Sequence, residues 1–213
     1  MGRPYPTIRP AAFEDAGFIA RNILAAQRGD RPRGWFDIAL ELPEAEGLAF
    51  MRRLTVARSP SWYHVSKFFV AEVEGEPAAA LCALPAVGTR LAARSAIQEI
   101  ADETGLDASG IFQRGGYAAD CWVQGGDGDW MIEHVATLSA HRGRGLVQGL
   151  IAHALVAGSA AGFARASITF LIGNAAAERC YARAGFALAE EKRDPAFEAL
   201  TGAPGFRRFA RAI

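Results

Sequence analysis

Trp130-Met131-Ile132-Glu133-His134-Val135-Ala136-Thr137-Leu138 is followed closely by Arg142-Gly143-Arg144-Gly145 and then by Leu146-Val147-Gln148-Gly149-Leu150. The first run is apolar and β-branched enough to predict a strand. The last opens a helix expected over residues 146–156. Between them, two glycines let the backbone curl so that successive N–H groups point into one concavity at a helix N-terminus, where an anion is favoured. Taken alone, the turn also fits a plain surface loop or a short basic contact to nucleic acid.

Working towards the C-terminus, residues 166–172 read as another strand, and Asn174 suits the N-cap of a helix over 175–184. Gly185 is a good residue to end that helix, and strands are expected at 186–190 and 205–211. Seven residues are almost two helical turns, so Tyr181 lies on nearly the same face as Asn174. Tyr181 is then either a core tyrosine whose hydroxyl reaches water or a functional phenol. Working towards the N-terminus, the pattern predicts an edge strand at 8–11, a helix from Glu14 to about Arg28, a loop at 29–34 and a helix beginning near Pro43. A hairpin follows, with strands at 67–73 and 77–83 around Glu74-Gly75-Glu76. Residues 85–129 differ from the rest, with a helix near 91–103 and then glycine-rich turns. Alternating helices and strands predict an α/β or α+β sheet with helices on its faces. No repeat or linker divides the chain, so residues 1–213 are expected to form one domain.

Composition narrows the function. The 213 residues carry 23 Lys+Arg against 23 Asp+Glu, with 51% apolar residues and a mean hydropathy of +0.08. Such a chain can bury a core, and it has no diffuse positive field to gather phosphate backbone or anionic lipid. Cys82, Cys121 and Cys180 form no CxxC pair, and His64, His134, His141 and His153 lack metal-ligand spacing. Residues 145–164 are uncharged, but their glycines and alanines, with Gln148, His153 and Ser159, predict a buried small-residue helix and not a membrane span. Residues 1–6 lack an apolar signal-peptide region, and Pro6 excludes a myristoylation signal. A cytoplasmic location is expected.

The run from Trp130 to Phe186 resembles the acyl-CoA-dependent N-acetyltransferases of the GNAT superfamily. Their loop reads Arg/Gln-x-x-Gly-x-Gly/Ala. Arg142-Gly143-Arg144-Gly145-Leu146 matches it up to the last position, where Val147 stands in place of Gly or Ala. The spacing Asn174…Ala177…Tyr181…Gly185-Phe186 matches fully. The resemblance implies a mixed, mostly antiparallel twisted sheet of about seven strands with a helical insertion before the central strand. It also implies acetyl-CoA as co-substrate, without a metal. Val135, Ala136 and Thr137 would face the pantetheine arm. Arg142, Gly143, Arg144, Gly145, Leu146 and Val147 would hold the pyrophosphate, Asn174 would touch the pantetheine, and Tyr181 would protonate the departing thiolate.

Direct attack by an amine needs a proton acceptor. Glu133 is the first candidate, since strand alternation puts it on the face of Val135 and Thr137 and turns His134 to the other. Glu133 could equally be a strand carboxylate satisfied by an arginine. Trp35, Asp37, Tyr117, Trp122 and Trp130 are candidates for holding the acceptor, with residues 85–129 covering it. The expected acceptor is a primary amine of a small molecule; the alternatives are a protein or peptide amine, or a non-catalytic acyl-CoA-binding role. No nucleic-acid or membrane partner is expected, and homodimers, common in the superfamily, are possible.

Overall fold

A computed structural model describes residues 6–123 and 125–213; the expectations for residues 1–5 lie outside them. The sheet contains β1 (Thr7–Pro10), β2 (Phe68–Val73), β3 (Glu76–Pro85), β4 (Asp129–Thr137), β5 (Arg165–Leu171), β6 (Ala187–Arg193) and β7 (Gly205–Ala212). Its order is β1-β2-β3-β4-β5-β7-β6. Neighbours run antiparallel except β4 and β5, which are parallel. A parallel pair needs a crossover, and the helix predicted after the RGRG turn supplies it.

One face carries α1 (Ala16–Arg28), α2 (Trp35–Leu40), α3 (Glu44–Leu54), α4 (Thr89–Thr104) and α5 (Ala108–Gly115). Its core joins Ile19, Ile23, Phe36, Phe50, Met51 and Leu54 to Val70, Ala80, Cys82 and Met131 of the sheet. The other face carries α6 (Leu146–Ala160) and α7 (Ala175–Arg183), packed on Ala79, Leu81, Ile132, Ile168 and Phe209. Helix α8 (Pro195–Thr201) joins a third, smaller cluster, in which Phe197 meets Ala118 and Cys121 of the segment before β4.

The uncharged run in α6 is a packed helix whose small residues allow close approach: a Cβ on Gly158 would come within 2.6 Å of the Trp130 indole. Among the described residues no helix is long and apolar enough to cross a membrane. Three short helices, α2, α5 and α8, stand where the sequence pattern assigned no helix. Each is short, so little apolar periodicity accumulates. Two nevertheless have clear N-caps: Asp107 accepts from Ser109 and Gly110, and Asp194 accepts from Phe197.

Candidate active site

Strands β4 and β5 pair only from Asp129–Arg165 to Ile132–Ile168. Both continue beyond that point, β4 to Thr137 and β5 to Leu171, and there they part. On its other edge β4 remains paired to β3, but Glu133 lies opposite Cys82 and Ala136 opposite Ala80, so His134 and Val135 together oppose Leu81. This is a β-bulge, with His134 at φ +53°. Asn22 of α1 pins it by donating Nδ2 to the His134 carbonyl at 2.6 Å. The parted strands open a cavity of about 900 Å³ between the two halves of the sheet.

The bulge overturns the strand alternation expected around Glu133. Val135 packs into the core on the α6 side, whereas Glu133 sits opposite Cys82 of the α1 side. His134, expected on the other face, lies instead among Tyr63 and Phe68, with ring centroids at 5.3 and 6.2 Å. An extra residue in the strand shifts the phase of everything after it, and nothing in the local composition announces that insertion.

At the mouth, Gly143 and Gly145 adopt φ of +74° and +79°, which favours glycine, and a Cβ at either would meet open space. The first amides past the turn to find protein acceptors are those of Gln148 and Gly149, both on the Gly145 carbonyl. Among the described residues the amides of residues 143–147 have no protein acceptor, so they can donate at the N-terminus of α6. Arg142 and Arg144 line the same mouth, and among the described residues neither is held by a carboxylate. Val147 packs its side chain against the α6-side core, so its bulk does not fill the turn. Free amides and arginines without carboxylate partners suit the turn to an anionic group. Val135, Ala136, Thr137, Leu146 and Asn174 also line the cavity. Asn174 caps α7 as expected, its Oδ1 accepting from the Ala177 amide at 3.1 Å.

Tyr181 and Glu133 open onto this cavity from opposite sides of β4. Tyr181 is 6% exposed, its ring edge-on to Phe170. Burial, with the charges of Cys180 and Glu133, raises its phenol pKa, so the hydroxyl keeps its proton. Glu133 is 7% exposed, and its Oε1 has no hydrogen-bond partner among the described residues. No arginine among the described residues satisfies it. Burial pushes its carboxyl up to about 8, while burial lowers His134 to about 3 and keeps that ring neutral.

Trp35, Tyr117 and Trp122, expected among the acceptor contacts, line this same cavity, and the Trp35 Nε1 donates to the Gly115 carbonyl at 2.8 Å. Two candidates lie elsewhere. Trp130 is buried on the α6 face against Phe163 and Gly158, because strand alternation places it with Ile132. Asp37 is held by Arg28 Nε at 2.8 Å and accepts from the Gly34 amide at 2.7 Å, fixing the start of α2. Sequence reading missed Trp62, Tyr63, Arg33 and Phe206 in the lining. The run Ser61-Trp62-Tyr63-His64 was a visible aromatic cluster, but only the fold brings it beside β4.

A sequence profile described as Acetyltransferase (GNAT) family matches residues 34–186. Solved structures share the fold. One described as an acetyltransferase is 19% identical with a TM-score of 0.73, over 97% of this chain and 99% of the other. An N-acetyltransferase from Staphylococcus aureus Mu50 is 20% identical with a TM-score of 0.68, over 96% and 100%. A polyamine N-acetyltransferase of Drosophila melanogaster, which forms N-acetylagmatine, is 15% identical with a TM-score of 0.55, over 98% and 100%. A search of curated proteins gave no match. With the profile spanning the bulged strand, the glycine turn and the Asn174–Phe186 helix together, this chain belongs to the Acetyltransferase (GNAT) family and is an acyltransferase.

Proposed function

We propose that the chain transfers an acetyl group from acetyl-CoA to the primary amine of a small molecule by direct attack in a ternary complex. The observation that carries this reading is the convergence on one cavity of a free-amide glycine turn, an unpaired buried carboxyl and a buried phenol. Acetyl-CoA, the family's acyl donor, supplies an activated thioester. The amides of residues 143–147, with Arg142 and Arg144, hold its pyrophosphate. The open edge of β4 at Val135, Ala136 and Thr137, with Asn174, holds the pantetheine arm. Glu133, as carboxylate, takes the proton from the attacking amine, directly or through water, as the C–N bond forms and the C–S bond breaks. Tyr181 donates its hydroxyl proton to the departing sulfur. Because burial raises the phenol above its ordinary value, this contribution comes from placement and not from acidity.

Tyr181→Phe tests the reading. Turnover should fall at least about tenfold, at or below the usual range for acid–base catalysis, with acetyl-CoA affinity unchanged by calorimetry. Unchanged turnover removes Tyr181 from the mechanism. Acetyl-CoA binding without release of thiol for any amine would favour a non-catalytic acyl-CoA-binding role.

A further inference from the structure

Beyond the parted strands, the cavity is walled by a continuous series of rings. Tyr63 lies 5.7 Å from Trp62, which lies 6.1 Å from Trp122; Trp122 is 4.9 Å from Phe206, Phe206 is 5.0 Å from Phe197, and Phe197 is 5.5 Å from Tyr117. All six line the same cavity as Glu133. The Trp122 Nε1 is buried and has no acceptor among the described residues, so a donor is left unsatisfied in this wall. From the buried carboxyl this wall leads to Tyr117, whose phenol burial raises above its ordinary value while the Arg33 charge opposes that rise.

The charges of this end point the same way. Arg33, Arg90 and Arg94 line it, while the only acidic side chains among the described lining residues are Asp30 and Glu133. Among the described residues, none of the three arginines has a carboxylate within ion-pair distance. Arg94 is instead laid over the Phe112 ring at 3.9 Å. Ring faces can hold a cation, with a gain of up to about 2 kcal/mol when desolvated. Here a second ammonium would meet three exposed arginines without a carboxylate partner among the described residues, so like-charge repulsion, weakened by solvent, opposes it. Flat apolar bodies gain from the same wall without that penalty.

We propose that the acceptor is a primary monoamine carried on an aromatic body, and not a polyamine. This rests on the acetyltransferase reading above and narrows its substrate. The aromatic body lies along Trp62, Trp122 and Phe206, and its amine reaches Glu133.

The experiment compares kcat/KM for phenethylamine and tyramine with that for putrescine, spermidine and agmatine, using thiol release from acetyl-CoA. Aromatic amines should be favoured at least about tenfold, the ratio expected from burying one ring fragment worth about 1.4 kcal/mol or more. Trp122→Ala should lower kcat/KM for phenethylamine at least about tenfold while coenzyme A affinity stays at the wild-type value. Equal or greater activity on polyamines would overturn the substrate assignment and leave the acetyltransferase reading standing. Unchanged phenethylamine kinetics in Trp122→Ala would overturn it too. If no amine is acetylated, phenethylamine should still quench tryptophan fluorescence of the coenzyme A-saturated protein more strongly than spermidine. That result keeps the aromatic site and rejects the proposed reaction; no preferential quench rejects the site.

Discussion

Glu133 carries two opposite consequences of one fact, its burial without a partner. Its carboxyl is pushed up to about 8 from an ordinary value of 4.5, so the free protein at neutral pH holds it largely protonated. As a proton acceptor it must first lose that proton. The kcat/KM profile should therefore rise through about pH 8, since kcat/KM reports groups of the free enzyme. Glu133→Gln should lower turnover by about 10²-fold or more, and wild-type turnover in that variant would exclude it as the base. The stability effect has the other sign. Between pH 4.5 and about 8 the unfolded chain releases the Glu133 proton while the folded one retains it, so the native state loses stability as pH rises through that window. Glu133→Gln should abolish this loss, leaving the variant relatively more stable at pH 8 than at pH 5, by thermal melts at both. A difference independent of pH would show that the carboxyl is not perturbed in the folded state.

At the scale of elements, β4 is where sequence reasoning succeeded and then failed. The strand, the glycine turn and α6 were legible because two glycines at positive φ and a change of periodicity are local signals. So was α7, announced by Asn174 and closed by Gly185. The bulge was not legible. It depends on Asn22, more than a hundred residues away in sequence, whose amide reaches the His134 carbonyl. The acceptor wall was only half legible for the same reason. Trp35, Tyr117 and Trp122 sat in segments long enough to suggest a role, but Trp62, Tyr63 and Phe206 join them through packing between remote elements. Trp130 and Asp37 looked equally suitable and were drawn elsewhere, by strand phase and by Arg28. Asn22→Ala tests the pin directly. It leaves a carbonyl of a strained bulge without its donor, at a cost of about 1–3 kcal/mol, or about 2–4 °C of melting temperature per kcal/mol in a domain of this size. Turnover should fall along with stability, because Glu133 and Val135 take their opposite facings from the bulge. Loss of stability with full turnover would mean that the bulge holds without Asn22.

For the whole molecule, zero net charge restricts how an anionic co-substrate can be held. There is no global field to attract it, so the proposed binding rests on oriented amides and nearby arginines at one turn. That turn joins the two halves of the sheet: β4 enters it, α6 leaves it, and α6 leads to β5 on the other side of the opening. α6 is tied onward to α7 by Gln148, which donates to the Cys180 carbonyl at 2.7 Å. In the proposed binding mode, a ligand held at the cradle binds the folded state and meets nothing comparable in the unfolded chain. Linkage then requires stabilisation of about 2.7 kcal/mol at a coenzyme A concentration a hundredfold above Kd, a rise of roughly 5–10 °C in melting temperature. Gly145→Glu places a like charge and a strained φ at the turn, where a Cβ meets only open space, so the variant should still fold. Its melting temperature should not respond to coenzyme A. A full thermal shift in Gly145→Glu would locate the anion elsewhere and remove the turn from the binding site.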